Sequence, residues 1–223
     1  ILTLDAVPMR HTFEGVPVKK SFMYHSLNTF KSRPMTLLYA SFVMSTTILW
    51  AYVKRTFGLT LPLPKKLAEI CRMYENSDLI IPVGGGYLRS QKRGIGSLLN
   101  VSQLLHPYVV AKLLRKPTIL YAQSIGPFSA KLEERLVKNV LNTRVAAAII
   151  REDVSMKLLY RIGVTIPLHR SVDSGFAFKP TQSYDLRKKI HAPRSQIVFG
   201  ITARQWLSVK QQRKYETVMA KAI

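Results

Sequence analysis

Short apolar runs rich in β-branched residues alternate with longer helical segments along most of the chain, and this alternation constrains the fold more than any other feature. It is typical of a parallel sheet, because a crossover helix returns the chain to the same end of the sheet after each strand. We therefore predict an α/β fold. The five runs are ILTLDAV (1–7), DLIIPV (78–83), PTILYA (117–122), VAAAII (145–150) and QIVFGIT (196–202).

The residues at the helix ends predict where the helices begin and stop. Pro64 is expected to be the first residue of the helix KKLAEICRMYENS, and Ser129 is expected to cap KLEERLVKNVLN. Gly163 is expected to stop the helix that contains DVSMKLLYRI. Residues 97–115 also have a helical pattern, in which Pro107 is expected to mark a break or a second start.

The composition changes after about residue 180. The stretch KPTQSYDLRKKIHAPRSQ is polar and rich in turn residues, and a fresh apolar run follows it. We predict a first domain at 1–180, a linker at 181–195, and the start of a second domain at 196–223 that the chain does not finish.

Basic residues greatly outnumber acidic ones. Thirty-four Lys and Arg residues against twelve Asp and Glu give a formal net charge of +22, so a partner or substrate is expected to be anionic. The sequence lacks the basic region with heptads, the zinc knuckle and the aromatic RNP pattern of nucleic-acid-binding proteins. We expect no nucleic-acid partner, because an anionic membrane surface or a phosphate-bearing substrate accounts for the same charge.

The sequence gives no support for a metal site. Cys71 is the single cysteine, which excludes an internal disulfide and a cysteine-based zinc site. We expect it to be a small buried hydrophobe. The five histidines, at positions 11, 25, 106, 169 and 191, have no metal-binding spacing.

Residues 35–53 form an uncharged stretch of nineteen positions, about the length that crosses a bilayer core. Basic residues lie on both sides of it, so charge asymmetry assigns no orientation. Five of its positions are Ser or Thr, which favours a buried or membrane-surface helix over a true span.

Each predicted strand is followed by a loop that could bind an anion. In an open parallel sheet, ligands bind outside the carboxyl ends of the strands, because loops and helix N-termini converge there with free backbone N–H groups. We therefore predict that five strand ends form one anion-binding crevice. The loops are GGGYLRS after DLIIPV, QSIGPF after PTILYA, RED after VAAAII, DSGFAF after the short SV at 171, and ARQW after IVFGIT.

Two of these loops consist of glycine and small polar residues. The triple glycine at 84–86 removes every Cβ from a strand-to-loop corner, so the backbone can approach a ligand closely; a tight turn is the alternative. The segment at 123–126 brings an amide, a hydroxyl and bare backbone to the same rim; a rigid packed turn is the alternative. The residues predicted to line the crevice are Gly84, Gly85, Gly86, Gln123, Ser124 and Gly126.

Three charged residues follow the later strands. Arg151 comes directly after an apolar run, and its guanidinium can bind a carboxylate or phosphate at two points; an ion pair with Glu152 or Asp153 is the alternative. Asp173 is predicted either to accept a proton from a sugar hydroxyl or to cap the following turn. Arg204 lies where a second domain would face the first, and it is either a ligand contact or a solvated side chain.

Taken in order, these motifs resemble the polysaccharide pyruvyl transferase family. Members typically show Gly-Gly-Gly after an Asp-led strand and then a Gly-Gln-Gly-Ile-Gly-Pro type loop. An Arg-Asp/Glu-x-x-Ser segment with a Leu-x-x-x-Gly-Val tail follows, and then an Ala-Asp-Pro-Ala-Phe type turn. The matching segments, from about residue 78 to 207, are DLIIPVGGGYL, YAQSIGPF, AIIREDVSMKLLYRIGV, SVDSGFAF and GITARQW.

The resemblance implies two Rossmann-like domains with doubly wound parallel sheets, facing across a cleft as in GT-B glycosyltransferases. It implies an enzyme that transfers the enolpyruvyl group of phosphoenolpyruvate to paired hydroxyls of a saccharide, free or lipid-linked. The products would be phosphate and a pyruvate ketal, in exopolysaccharide or cell-surface glycan biosynthesis. No cofactor is implied besides the donor substrate. We expect a cytoplasmic location, with peripheral contact at the inner face of the membrane left open.

The resemblance also assigns roles by position. Arg151 and Asp173 would be catalytic, with Arg151 binding the donor, whereas Arg204 and the loop residues at 84–86 and 123–126 would bind substrate. The chain departs from the family pattern in Ser124, where many members have glycine, and in Asp-Ser-Gly at 173–175, where members often have Asp-Pro-Ala.

Larger departures concern the two ends of the chain. The glycine-rich Asn-x-Gly-Asp start of the family is absent, and the donor-binding His and Lys residues belong to a second domain that the chain barely enters. We therefore expect a fragment that is truncated at both ends and inactive alone. Two alternatives stay open: a GT-B-type glycosyltransferase that prefers a UDP-sugar, and a non-catalytic basic protein that binds nucleic acid or membrane.

Overall fold

Helices and parallel strands make up the described part of the chain, which in this computed structural model comprises residues 2–3, 19–22, 32–83, 85–90, 94–177, 213 and 216–218. The chain separates into two units, Ile1–Ala177 and Phe178–Ile223. The described residues of the second unit are helical. The predicted linker at 181–195 and the strand at 196–202 lie outside the described residues, so the domain boundaries stay a prediction.

Five strands pair in parallel within the described first unit. The short strands β1 (Leu2–Thr3) and β2 (Lys19–Lys20) pair with each other. The strands β3 (Ile119–Gln123), β4 (Ala147–Ile150) and β5 (Leu168–Arg170) form a second sheet in that order. The α/β prediction is thereby confirmed, and two of the predicted apolar runs are β3 and β4.

A further segment lies along the free side of β3. Ile80, Val83 and Leu88 form parallel bridges with β3 or the residues that flank it, at Thr118, Tyr121 and Ile125 respectively. The DLIIPV run is therefore bridged to the sheet without forming a regular strand. Its Pro82 has no N–H to donate to a ladder, which accounts for the interruption.

The helices of the first unit pack in layers. The three crossover helices α3 (Ile95–Leu113), α4 (Lys131–Arg144) and α5 (Asp153–Ile162) form one layer, because α3 contacts α4 and α4 contacts α5. Helix α1 (Arg33–Phe57) contacts both α2 (Lys65–Glu75) and α3. The doubly wound arrangement stays a prediction. A 3₁₀ turn at Ser174–Ala177 follows the helices in the chain.

Helix α3 separates two hydrophobic cores, which explains why its sequence is apolar on most sides. On one side it packs with α4, α5 and the sheet, and on the other with α1 and α2. The first core is centred on Leu105, Tyr108, Leu120, Val137, Leu141, Ile150 and Leu159, and the second on Trp50, Leu67, Ile70, Cys71, Val110 and Ala111.

The predicted break at Pro107 is wrong, because α3 runs through it without interruption. A proline inside a helix costs about 3 kcal/mol. Buried side chains lie on both sides of it, with Leu104 and Leu105 before it and Tyr108 and Val110 after it. Burying a side chain of this size contributes roughly 1.5–3 kcal/mol, so the packing of both halves outweighs the lost hydrogen bond.

Two predicted helix starts are each displaced by one residue. Helix α2 begins at Lys65 with Pro64 in the capping position, and α4 begins at Lys131 after Ala130. Ser129 therefore does not cap α4 and instead donates its N–H to Glu133. The stop at Gly163 is confirmed, since it has the left-handed φ of +81° that glycine adopts readily.

Cys71 is buried in the second core, as expected. Burial, together with the nearby Glu75 carboxylate, raises the pKa of its thiol to about 12. The thiol therefore stays protonated and unreactive at neutral pH.

His106 is buried where α3 meets α1. A hydrogen bond of 2.8 Å joins its Nε2 to the Thr47 hydroxyl, and the ring packs edge-on against Phe22. Burial lowers the pKa of His106 from 6.5 to about 4. The native protein therefore holds a neutral imidazole at pH values at which the unfolded chain binds a proton.

We expect acidification to destabilise the fold through His106. In the unfolded state His106 gains a proton below about pH 6.5, whereas in the native state it gains one only near pH 4. The free energy of unfolding is therefore unaffected by His106 protonation above about pH 6.5 and decreases as the pH falls below it. Between about pH 7 and pH 5 the loss is about 2 kcal/mol. Urea unfolding of wild type and His106→Gln at both pH values measures it, and an equal change in the two proteins would contradict the assignment.

Candidate active site

Backbone hydrogen bonds bring the chain segments that leave neighbouring strands together at the carboxyl edge of the sheet. The Ser124 N–H donates to the Gly85 carbonyl at 3.1 Å, and the Arg151 N–H donates to the Gln123 carbonyl at 3.2 Å. The chain leaving β5 is tied in the same way to the last residue of β4. The loops after residues 80–83, β3, β4 and β5 therefore lie side by side.

The Arg151 guanidinium connects the loops that follow β3, β4 and β5. Its Nε donates to the Ser124 hydroxyl at 2.6 Å, and its Nη1 forms an ion pair with the Asp173 carboxylate. Its side chain is 26% exposed. Among the ion pairs of the described residues, none joins Arg151 to Glu152 or Asp153, which was the alternative. Arg151 is held from two sides while part of its surface stays open to solvent.

Asp173 does two things in this arrangement. Its Oδ1 accepts the Gly175 N–H at 2.9 Å and thereby caps the 3₁₀ turn, which is one of the two alternatives predicted for it. Its Oδ2 pairs with Arg151. The Gly175 N–H and then the Arg151 charge hold the pKa of Asp173 below its usual value. A carboxylate with a lowered pKa is a weak proton acceptor. The geometry thus favours Asp173 as a partner that orients Arg151.

Gln123 is placed differently from what the sequence suggests. Its side chain is fully buried, and its Nε2 donates to the Pro82 carbonyl at 2.9 Å and to the Tyr87 hydroxyl at 2.8 Å. The Tyr87 hydroxyl lies 2.9 Å from that of Tyr108 on α3. Gln123 therefore links the segment after residue 82 to β3 through hydrogen bonds in the protein interior, and its buried side chain does not line an open crevice.

Glycine is required at two of the described loop positions. Gly85 has a φ of +81° and carries the carbonyl that accepts the Ser124 N–H. Gly126 has a φ of +83°, and a Cβ there would lie 2.1 Å from Leu158 Cδ2 on α5. Its role in the structure is close packing against α5. Gly86 faces Ser124 with room for an ordinary contact, since an added Cβ would lie 3.7 Å away.

Ser155 is a connecting residue whose role the sequence reasoning left unassigned. From the first turn of α5, its hydroxyl accepts the Ile125 N–H at 2.8 Å, and it lies 3.0 Å from the Ile125 carbonyl and 2.8 Å from the Glu152 carboxylate. It is buried. The Arg-Glu-x-x-Ser spacing at 151–155 was the available signal, because it places the serine on the side of α5 that faces the β3 loop.

Arg170 is a second cation near Arg151, and the sequence pattern assigns it no role. Its Nε donates to the Asp153 carboxylate at 2.7 Å, and its Nη1 donates to the Arg151 and Ser171 carbonyls. The hydrogen bond and the charge of Arg170 lower the pKa of Asp153. Arg170 thereby braces the backbone that carries the Arg151 side chain.

A buried carboxylate holds Ser90, the last residue of the loop at 85–90, termed the glycine loop. Glu133 on α4 is 1% exposed. Its Oε2 accepts the Ser90 hydroxyl at 2.5 Å, the Ser129 N–H at 3.0 Å and the Ala130 N–H at 3.1 Å. Burial acts to raise the pKa of Glu133, but the hydrogen bonds from Ser90, Ser97, Ser129 and Ala130 together lower it below its ordinary value. The ionised carboxylate thus ties residue 90 to the start of α4.

The assembled edge can hold an anion. Arg151 has Nε and Nη1 engaged, and its Nη2 has no partner among the described residues. Helix α5 begins two residues later, so the positive end of its dipole adds to the guanidinium. A cation fixed in this way stabilises negative charge without reorganising during a reaction.

Two predicted site residues, Gly84 and Arg204, lie outside the described residues. Within the part of the chain that the structure describes, no group of three His, Cys, Asp or Glu residues could hold a metal ion.

Comparisons with known proteins agree with the motif order. A family model described as polysaccharide pyruvyl transferase matches residues 8–220. The amylovoran biosynthesis protein AmsJ of Erwinia amylovora is 27% identical over 119 residues, which are 53% of this chain and 26% of that protein. The match thus spans about a quarter of the length of that relative. No solved structure matches the chain significantly.

Proposed function

The chain belongs to the polysaccharide pyruvyl transferase family, and from this premise we propose that it acts in moving the enolpyruvyl group of phosphoenolpyruvate onto saccharide hydroxyls. The family and the relative support a transferase of polysaccharide biosynthesis in general. The donor, the ketal product and a role in exopolysaccharide or cell-surface glycan synthesis are the proposal.

The proposed reaction replaces one phosphate ester with two ether bonds. Both saccharide hydroxyl oxygens form bonds to C2 of the enolpyruvyl group, while the bond from C2 to the phosphate oxygen breaks and the double bond between C2 and the methylene carbon becomes single. One hydroxyl proton ends on the methylene carbon, which becomes the methyl group of the ketal, and the other leaves with the phosphate. Negative charge therefore grows on the departing phosphate, which is where a fixed cation lowers the barrier.

The arrangement of Arg151 carries this proposal. Its guanidinium is half-buried, is held by Ser124 and Asp173, and has one nitrogen left for a ligand. Phosphoenolpyruvate offers both a carboxylate and a phosphate, the two groups that a guanidinium binds best. Gly85 and Gly86 are proposed to let backbone approach the same ligand.

Product analysis tests the function directly. The protein, purified together with the terminal regions that the family pattern implies, is expected to release phosphate from phosphoenolpyruvate and to leave a pyruvate ketal on a saccharide with paired free hydroxyls, detected by mass spectrometry. A UDP-sugar in place of phosphoenolpyruvate is expected to give no transfer. Sugar transfer from the UDP-sugar, or salt-dependent DNA binding without turnover, would replace the proposal by one of its two alternatives.

Peripheral membrane contact is the second part of the proposal, and α1 supports it. Among the described helices, residues 34–57 are long and apolar enough to cross a bilayer, and 28% of their most apolar 18-residue stretch is buried. One face of this helix nevertheless packs in the second core through Val43, Trp50 and Ala51. That packing favours a helix lying on the surface of the membrane over a span. The opposite face exposes Met35, Leu38, Phe42, Leu49 and Tyr52.

The net charge of +22 suits an anionic lipid surface. We expect the protein to sediment with anionic vesicles and Leu38→Asp/Phe42→Asp to remain in the supernatant. Equal sedimentation of the two proteins would contradict a role for this face.

A further inference from the structure

A second basic site lies at the opposite, amino-terminal edge of the sheet. It is an open cleft of about 520 Å³ where the chain enters β3 and β4, at Thr118 and at Val145–Ala146. The length of β3 separates it from Arg151, since five residues of strand span roughly 16 Å. Its volume lies within the range of ligand-binding pockets. The charged residues that line it are Arg55, Lys112, Arg115, Lys116 and Arg144.

The charge of the cleft is unbalanced. Five cationic side chains line it and no acidic residue does. None of the five has an ion pair or a side-chain hydrogen bond with any other residue in the described ranges. Helices α1, α3 and α4 end nearby, and basic residues in a last turn complement the helix dipole. Three helix ends supply a negative charge of about 1.5 in total, which leaves most of the positive charge unmatched.

Two lining residues of this cleft have unusual features, Thr118 in its side chain and Arg115 in its backbone. Thr118 is fully buried, and its hydroxyl has no hydrogen-bond partner among the described residues. At the rim, Arg115 has a φ of +60°, a left-handed conformation that is uncommon for a residue other than glycine. The turn is held by hydrogen bonds from Arg115 N–H to the Lys112 carbonyl and from Lys116 N–H to the Ala111 carbonyl. A buried, unpaired hydroxyl and a strained turn that carries two cations are features that binding sites often have.

We propose that this cleft binds a ligand that carries two or more phosphate groups. Several guanidinium and ammonium groups around one cavity match the charge of a diphosphate, and the arginines offer forked donors for phosphate oxygens. The phosphates belong either to a soluble molecule or to a lipid headgroup, and the proposal does not depend on the reaction at the other edge.

Calorimetric titration with pyrophosphate tests the site. Binding to Arg55→Ala/Arg144→Ala is expected to be at least about tenfold weaker than to the wild type, because two of the five cations are lost. The double variant Lys131→Ala/Arg135→Ala loses the same charge from the exposed surface of α4 and is expected to bind within about twofold of wild type.

Arg151→Ala separates this site from the candidate active site. The variant is expected to retain the pyrophosphate binding of the cleft even if the proposed transferase reaction is not found. Equal affinities of the two double variants, or competition by sulfate as strong as that by pyrophosphate, would overturn the proposal by showing general charge attraction only.

Vesicles distinguish the two sources of phosphate. Phosphatidylcholine vesicles that contain a lipid diphosphate present the proposed group, and vesicles that contain phosphatidylserine serve as the control with matched negative charge. If pyrophosphate displaces the wild-type protein from the lipid diphosphate vesicles, and if Arg55→Ala/Arg144→Ala does not show this displacement, a headgroup ligand is supported. Pyrophosphate binding without such displacement supports a soluble ligand, and absence of both would overturn the proposal.

Discussion

Replacement of Arg151 with alanine, in the protein with the terminal regions that the family pattern implies, is expected to slow phosphoenolpyruvate-dependent phosphate release by on the order of a hundredfold, equivalent to about 3 kcal/mol of transition-state stabilisation. The guanidinium is held in place by the Ser124 hydroxyl and the Asp173 carboxylate before any substrate arrives. The variant loses a preorganised charge at the point where the phosphate is proposed to leave. Steady-state measurement of phosphate release gives the effect, which we expect mainly in kcat.

Arg161→Ala is the matched control. Arg161 lies on α5 and forms an ion pair with Glu134 from a largely exposed position. The Arg161→Ala variant therefore loses the same charge as Arg151→Ala. Exposed ion pairs contribute about 0–1 kcal/mol to stability, so this variant is expected to keep wild-type turnover. Normal turnover in Arg151→Ala would remove Arg151 from the site, whereas an equal loss in both variants would indicate a general effect of charge.

The parts of the fold that local patterns specify could be predicted from the sequence. The runs at 117–122 and 145–150 are strands, and helix α5 ends at Gly163, because apolar periodicity and a glycine stop signal depend on neighbours in the chain. The meeting of loops at one edge of the sheet follows from parallel topology alone. The strand end predicted at the short SV at 171 is displaced, because β5 ends at Arg170; this strand is three residues long and mostly exposed, so it has little apolar pattern.

The contacts within the site could not be predicted, because they join residues far apart in the chain. Whether Gln123 faces a crevice or the interior depends on Tyr87 and Tyr108, which meet it through the tertiary fold. Arg151 has acidic neighbours in sequence, yet it pairs with Asp173, twenty-two positions away. Residue type predicted that an arginine would matter here, and only the fold shows what orients it.

Glu133→Ala is expected to lower the free energy of unfolding by about 3–5 kcal/mol, the largest stability effect that we predict. The carboxylate accepts hydrogen bonds from the Ser90 hydroxyl and from the N–H groups of Ser129 and Ala130, and it is almost fully buried. Alanine would leave these donors buried without an acceptor. Urea unfolding at neutral pH measures the loss.

The neighbouring Glu134 provides a matched control for this stability prediction. Its ion pair with Arg161 lies at the surface, so Glu134→Ala is expected to stay within about 1 kcal/mol of wild type. Glu133→Gln keeps one acceptor oxygen in place and is expected to fall between the two. Because the hydrogen bonds lower the pKa of Glu133, its contribution is present above about pH 4.5 and lost as the pH falls. Equal unfolding curves for the two alanine variants at neutral pH would show that residue 90 and the glycine loop are held by other contacts.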